Sequence, residues 1–316
     1  MNPANINKTM NTQINKLTTR RNFLKATGAV ITLAAVGPQV FAADEKSVTR
    51  TVKKAIMWGT VGLKGSVVEK MKAIKAAGFD GVEMMSHMDH EEVLKARDES
   101  GLEIPSVCGE KHWGKPLSSP DEKVRAEGFA ALQQTLRDAK AYGAGSILLV
   151  PGTVGQGTSY EECWTRSIAE IRKAIPLAEE SGVKISIENV WNNFITKEDE
   201  AARYLDEINS PWVGWHFDCG NVIRYGDPIA WIKKLGQHIN RFHIKEYSLD
   251  RAMRAGNVGK GFEVALLEGA NNWRGIVQAI TATGYHGWAI TEQGGGETAE
   301  GLKDLATRLE KILTLT

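Results

Sequence analysis

Four short apolar runs end on side chains able to hold a metal or move a proton. They are Ile185-Ser186-Ile187-Glu188, Trp215-His216-Phe217-Asp218, Arg241-Phe242-His243 and Ala289-Ile290-Thr291-Glu292. Three carboxylates and one imidazole form a hard oxygen-and-nitrogen donor set suited to one divalent cation. Mn2+ is the first expectation, with Mg2+, Co2+ or Zn2+ as alternatives. Singly, an acid at a strand end is as readily a cap for the next helix; four on consecutive runs are harder to explain that way. A metal chelated by a substrate carbonyl and its neighbouring hydroxyl would stabilise an enediolate. Glu188 and Glu292 could then take a proton from one face of that intermediate and return it to the other. Lys245 lies two residues past His243, on the same side of the strand, and either supports the developing oxyanion or pairs with a loop acid. Glu83 ends an earlier run and reads as a substrate contact or as part of a charge network. His112 and Trp113 follow another run as candidate substrate contacts, because aromatic rings stack on sugar faces. His216 reads as a packed interior histidine.

Such residues reach one point only if their strands do. The runs Ala55–Trp58, Gly81–Met85, Ile104–Cys108, Ser146–Val150, Lys184–Glu188, Val213–Asp218, Arg241–Lys245 and Trp288–Glu292 read as strands. Between them, Val67–Ala77, Asp121–Tyr142, Tyr160–Glu180, Glu198–Ile208, Pro228–Leu235 and Trp273–Thr283 repeat apolar residues at steps of three and four. Gly78, Gly143, Gly182 and Gly284 each follow a helical run, as C-terminal caps do. This alternation predicts an α/β fold, a single (β/α)8 TIM barrel whose strand ends converge on one pocket. A doubly wound sheet is disfavoured, because Trp58-Gly59-Thr60-Val61-Gly62 lacks the glycine fingerprint of a dinucleotide site. Residues 248–272 form the longest connection without clear periodicity, a loop of the kind that covers a site. Asp218 and His243, at the barrel mouth, are expected to be replaceable with loss of metal but not of the fold.

The first 43 residues hold five basic side chains and no acid. Arg20-Arg21 precedes the uncharged stretch 26–36, and Val40-Phe41-Ala42 offers small residues for cleavage. This is the layout of a twin-arginine signal peptide over 1–42, followed by a linker at 43–54 and the barrel at 55–316. Export to the periplasm is expected, with no stable membrane anchor, since the apolar stretch is too short to span a bilayer. Without residues 1–42 the chain has 274 residues and a net charge of −4. No basic stripe suggests nucleic acid. Cys108, Cys163 and Cys219 fit no zinc or disulfide framework and read as small buried residues.

The chain resembles the xylose-isomerase-like barrel superfamily, in its branch of sugar phosphate isomerase/epimerases, hydroxypyruvate isomerases and ketose 3-epimerases. The resemblance rests on six motifs: Gly78-Phe-Asp-Gly81-Val-Glu83, Ser118-Ser-Pro-Asp-Glu-Lys-Val-Arg125, Ile187-Glu188-Asn189, Phe217-Asp218-Cys-Gly, Phe242-His243-Ile-Lys245-Glu246 and Gly284-Tyr285-His-Gly287-Trp288. It implies that Glu188, Asp218, His243 and Glu292 bind one metal and that the substrate is a small carbohydrate. Where relatives commonly carry a histidine that binds substrate oxygens, this chain has Asn221, which can hydrogen-bond a hydroxyl but cannot shuttle a proton. The resemblance implies a metal-dependent isomerase or epimerase. Two alternatives stand beside it: lyase or hydrolase chemistry on oxidised (3-keto) glycosides at the same site, and a non-catalytic carbohydrate-binding barrel. Barrels of this superfamily are often dimers or tetramers, so a homo-oligomer is left open.

Overall fold

The computed structural model of the protein describes residues 52–155 and 157–315. The signal segment with Arg20 and Arg21, and most of the linker, lie outside the described residues. Eight parallel strands close in sequence order: β1 (Lys53–Met57), β2 (Gly81–Met85), β3 (Val107–Cys108), β4 (Ser146–Leu149), β5 (Lys184–Glu188), β6 (Val213–Asp218), β7 (Ile239–Ile244) and β8 (Trp288–Thr291). The ring closes through β1 on β8, with Lys53 opposite Trp288. Around it lie α1 (Val67–Ala77), α2 (His90–Ser100), α3 (Glu122–Tyr142), α4 (Tyr160–Ser181), α5 (Glu198–Ile208), α6 (Cys219–Val222), α7 (Pro228–Leu235), α8 (Leu249–Ala255), α9 (Trp273–Ala282) and α10 (Ala299–Leu313). The expected (β/α)8 barrel is therefore the fold. Among the described residues no helix is long and apolar enough to cross a membrane.

Local signals account for most boundaries. Ser66 with Glu69, and Ser159 with Glu162, form reciprocal capping boxes at the starts of α1 and α4. Such a cap contributes about 1 kcal/mol. Gly78, Gly143 and Gly182 end α1, α3 and α4 in the left-handed region that side chains rarely adopt. Five strands differ from expectation. β4 and β8 each stop one residue early, at Leu149 and Thr291. β1 starts at Lys53 and stops at Met57, with Trp58 opening a short 3-10 turn. β3 shrinks to two residues, because Pro105 has no N–H for the ladder; its carbonyl instead accepts from the Arg241 guanidinium at 2.8 and 3.1 Å. β7 begins early at Ile239, and its register with β6 skips a residue around Asn240, as at a bulge. The connection at 248–272 is not structureless: it carries α8 and a 3-10 turn at Val258–Phe262.

Alternation along the strands sorts the side chains into two groups. Phe217 packs against Trp231 of α7, with ring centroids 5.9 Å apart, and Phe242 packs against Tyr285, so these residues face the helices. Their neighbours His216, Asp218 and His243 are turned into the barrel, each fully buried. The two-residue period thus buries an apolar layer under the helices and delivers the polar set to the interior and mouth. The three cysteines are buried free thiols, and burial raises the pKa of each.

Candidate active site

The ends of β5 to β8 bring Glu188, Asp218, His243 and Glu292 together, with one ligand atom of each within 4.8 Å of all the others. His243 Nδ1 lies 3.1 Å from Glu188 Oε1 and 3.3 Å from Glu292 Oε2. Lys245 Nζ lies 2.7 Å from Glu292 Oε2 and 3.7 Å from Asp218 Oδ2. Of the two roles expected for Lys245, the structure shows an ion pair, and its partners are strand-end acids rather than a loop acid. Asp218 is held on both sides: its Oδ1 accepts from Asn221 N–H at 2.7 Å, and Asn189 Oδ1 accepts from the Asp218 N–H at 3.0 Å. Gly220 lets this turn press onto β7, since a Cβ there would sit 2.6 Å from the Lys245 carbonyl oxygen.

These residues fit a divalent cation. Asp218 Oδ2 is buried with no hydrogen-bond partner, the Lys245 ammonium standing off at 3.7 Å, a costly state that a closer cation would relieve. Three carboxylates converge with one imidazole nitrogen, the donor chemistry a hard ion takes. Two protein cations, the Lys245 ammonium and the His243 ring, sit among these acids. The electrostatics are correspondingly strained. Burial raises Glu188, against the hydrogen bond and charge of His243 that lower it, and Asp218 is raised by burial as well. Burial would also raise Glu292, but the Lys245 charge and the His243 bond outweigh it and hold that carboxyl below the usual range. Burial works against a charged His243 too, yet the Glu83 charge and the bonds from Glu188, Glu292 and Glu83 keep the ring's pKa well above the ordinary value.

A cavity of about 240 Å³ opens above this cluster, lined by Met57, Cys108, His112, Trp191, Asn221 and Phe262 together with Glu188, His243, Lys245 and Glu292. His112 lines it: its Nδ1 accepts from Val150 N–H at 3.3 Å, and burial pushes its pKa down to about 4. The ring is therefore neutral near pH 7, with Nε2 carrying the proton. Trp113 stands at the rim, 53% exposed. Asn221 lines the cavity, with its Nδ2 donating to the Asn189 carbonyl at 3.0 Å.

Of the two readings of Glu83, the structure favours the charge network. It is fully buried and outside the cavity, and its Oε2 lies 2.8 Å from His243 Nε2, on the opposite edge of the ring from Glu188 and Glu292. It belongs to the interior charge network formed with His243 and His216. His216 is the packed interior residue expected, its ring centroid 4.2 Å from that of His243.

Two aromatic cavity walls were missed. Trp191 follows Glu188 by three residues, and that position past a strand end was its only signal. Phe262 comes from the loop after β7, where no periodicity marks it. The loop is shaped from below by the buried Glu246, whose carboxylate accepts from Leu267 N–H (3.0 Å), Asn271 N–H (3.1 Å) and Trp273 Nε1–H (2.6 Å). Gly269 passes so close that a Cβ would lie 2.5 Å from Glu246. Phe262 is thereby set against Trp191 (centroids 4.7 Å apart) and under Lys245 (4.7 Å).

A closed parallel barrel with an acid-and-histidine cluster at its strand ends defines the class, and the chain belongs to the xylose isomerase-like TIM barrel family, matching it over residues 71–312. Among particular relatives, L-ribulose-5-phosphate 3-epimerase UlaE of Escherichia coli O157:H7 is 24% identical over 247 residues, covering 74% of this chain and 84% of the relative. The enzyme of the same name from Salmonella paratyphi A matches to the same extent. Similar solved structures include D-psicose 3-epimerase in the presence of D-fructose (18% identity, TM-score 0.68, 82% of this chain and 97% of that one). Another is the E. coli 3-keto-D-glucoside 4-epimerase YcjR (17%, 0.68, 83% and 98%). A third is the IolI protein with a bound zinc atom (17%, 0.69, 83% and 98%). At these identities the structural likeness shows the fold.

Proposed function

We propose that this chain is a metal-dependent sugar epimerase or isomerase that moves a proton on a carbon beside a carbonyl, and that its substrate carries no phosphate. The observation that carries this reading is the four-ligand cluster at the floor of a cavity walled by aromatic rings. The epimerase names of the relatives support it. Glu188, Asp218, His243 and Glu292 would hold the metal, Mn2+ by preference, which would supply Lewis-acid polarisation of the carbonyl and its neighbouring hydroxyl.

The chain's own residues do the rest. One glutamate takes the proton from the carbon, the C–H electron pair moves toward the carbonyl oxygen to give a planar enediolate, and the other glutamate returns a proton to the opposite face. Glu188 and Glu292 arrive from strands three apart around the ring, and their environments push their proton affinities in opposite directions, the pattern that separates an acid from a base. His112, neutral with its Nδ1 occupied, offers Nε2–H to a substrate oxygen. Trp191, Phe262 and Trp113 give the sugar ring apolar faces and keep water from the reacting carbon.

Charge argues against a phosphate. Among the described residues lining the cavity, the cationic side chains are Lys245 and His243, both already committed to carboxylates, while His112 is uncharged. A phosphate dianion would find no uncommitted partner there. The test is exchange in deuterated water by Mn2+-loaded protein offered L-ribulose, D-psicose, 3-keto-glucosides and L-ribulose 5-phosphate. Deuterium should enter an uncharged sugar beside its carbonyl. Exchange confined to the phosphate ester contradicts the substrate class, and exchange in none contradicts the activity. A second reading, elimination of a glycosidic oxygen from an oxidised glycoside, is favoured by Asn221, which shuttles no proton, and by the half-exposed Trp113, beyond which an aglycone has room. Release of free aglycone in the same assay distinguishes it.

Metal binding should also be pH-dependent in a definite sense. A histidine ligand must be deprotonated at the ligating nitrogen, and the surrounding carboxylates raise the pKa of His243 well above its ordinary value. Its raised pKa means that the competing proton is bound below that pKa and lost above it, so metal affinity rises with pH. Calorimetric titration with Mn2+ in two buffers of different ionisation enthalpy should show about one proton or more released per metal near neutrality. No release would contradict the displacement of a protonated group by the metal.

A further inference from the structure

Glu83 has no place in the chemistry above, yet it is among the most completely buried acids in the barrel. It sits third on β2, turned inward, and its Oε2 is 2.8 Å from His243 Nε2. A carboxylate has no hydrogen to give, so the hydrogen in that bond belongs to Nε2. When the ring gives up the Nδ1 hydrogen that faces Glu188 and Glu292 at 3.1 and 3.3 Å, the hydrogen kept on Nε2 leaves the Nδ1 lone pair turned to the site. The ring is also clamped from the side. His216 packs edge-on against it at an interplanar angle of 69°, and His216 Nδ1 lies 3.8 Å from the other oxygen of Glu83. That oxygen and both His216 nitrogens have no hydrogen-bond partner, so the Glu83 carboxylate is directed to His243 and to no competing donor.

From this geometry we propose that Glu83 is a positioning residue: it fixes the tautomer and orientation of His243 so that Nδ1 faces the metal site. The inference rests on the metal reading above. A ligand histidine whose second nitrogen donates to a carboxylate is held in register and made more basic, and losing such a partner typically weakens metal affinity by about 10- to 100-fold. The bland alternative is that Glu83 only satisfies a buried histidine, in which case its loss would affect stability and leave the affinity of the folded protein alone.

The experiment compares Mn2+ affinity by calorimetry in wild type, Glu83→Met and Glu83→Gln, with folding checked by circular dichroism and Tm. Met fills the space without an acceptor, whereas Gln keeps an oxygen for Nε2–H. Glu83→Met should bind Mn2+ about 10- to 100-fold more weakly, and Glu83→Gln should recover most of that loss. A folded Glu83→Met with wild-type affinity overturns the proposal. If Met does not fold, the imidazole 15N spectrum of the wild-type protein loaded with Mg2+ decides. Hydrogen on Nε2 of His243 upholds the proposal, and hydrogen on Nδ1 overturns it. A wild-type protein that binds no metal at all refutes the metal reading beneath it, which is a separate failure.

Discussion

Glu188→Gln and Glu292→Gln should each lower turnover by about 10²- to 10⁴-fold, the range that general acid–base catalysis contributes, while substrate affinity changes far less. Gln keeps the shape and one oxygen donor of Glu but cannot take up a proton. The aromatic walls, His112 and Asn221 are untouched, so the sugar should still bind. The two variants should not behave alike. Solvent exchange at the reacting carbon should vanish in the variant that lacks the abstracting base and can persist in the other. Because an amide is a poorer metal ligand, occupancy must be measured beside rate. A variant that keeps its metal, exchanges and turns over normally removes that glutamate from the chemistry. If both variants bind sugar like wild type and no sugar ever exchanges, the barrel is a carbohydrate-binding protein.

Asp218→Ala should empty the metal site while leaving the barrel folded. Removing a direct ligand should weaken affinity by more than the roughly 10- to 100-fold that a supporting residue costs. Stability should fall only by about 0.5–2 kcal/mol, the usual loss when a capping side chain goes, because Asp218 Oδ1 caps the start of α6. Neighbouring Asn189 still ties down the strand end through the residue-218 carbonyl at 2.8 Å. His243→Ala is a different matter, and the expectation that it spares the fold needs correcting. His243 is as fully buried as Asp218, but its loss also strands the buried Glu83 carboxylate. Breaking a buried pair from one side costs about 3–5 kcal/mol, so this variant should lose metal and Tm together. Metal content by mass spectrometry and thermal melts separate the two cases; unchanged metal in Asp218→Ala removes it from the site.

The barrel was legible because its signals are local. Strand and helix periods differ, and left-handed glycines punctuate the helices, so Gly78, Gly143 and Gly182 could be placed from sequence. That Glu188, Asp218, His243 and Glu292 meet was legible because strand ends in a barrel converge whatever the distance in sequence. Neighbours across strands were less so. That Glu83 meets the far edge of His243 rather than substrate depends on how far β2 is staggered against β7, which no single-strand pattern encodes. Phe262 is harder still: it reaches the cavity only because buried Glu246 and close-packed Gly269 fold a stretch with no period of its own. The helix at α2 is weakly marked because it buries only Val93 and Ala96. α10 was readable in principle, with Leu302, Leu305, Ala306, Leu309 and Ile312 at helical spacing.

The central claim is that a metal held by Glu188, Asp218, His243 and Glu292 enables proton transfer on an uncharged sugar. Its most direct test is deuterium incorporation by a single preparation, stripped with chelator, reloaded with Mn2+, and incubated in deuterated water with an exchanging sugar. Incorporation beside the carbonyl should disappear on stripping and return on reloading, in proportion to metal bound. Incorporation that continues undiminished in the stripped protein would contradict the account.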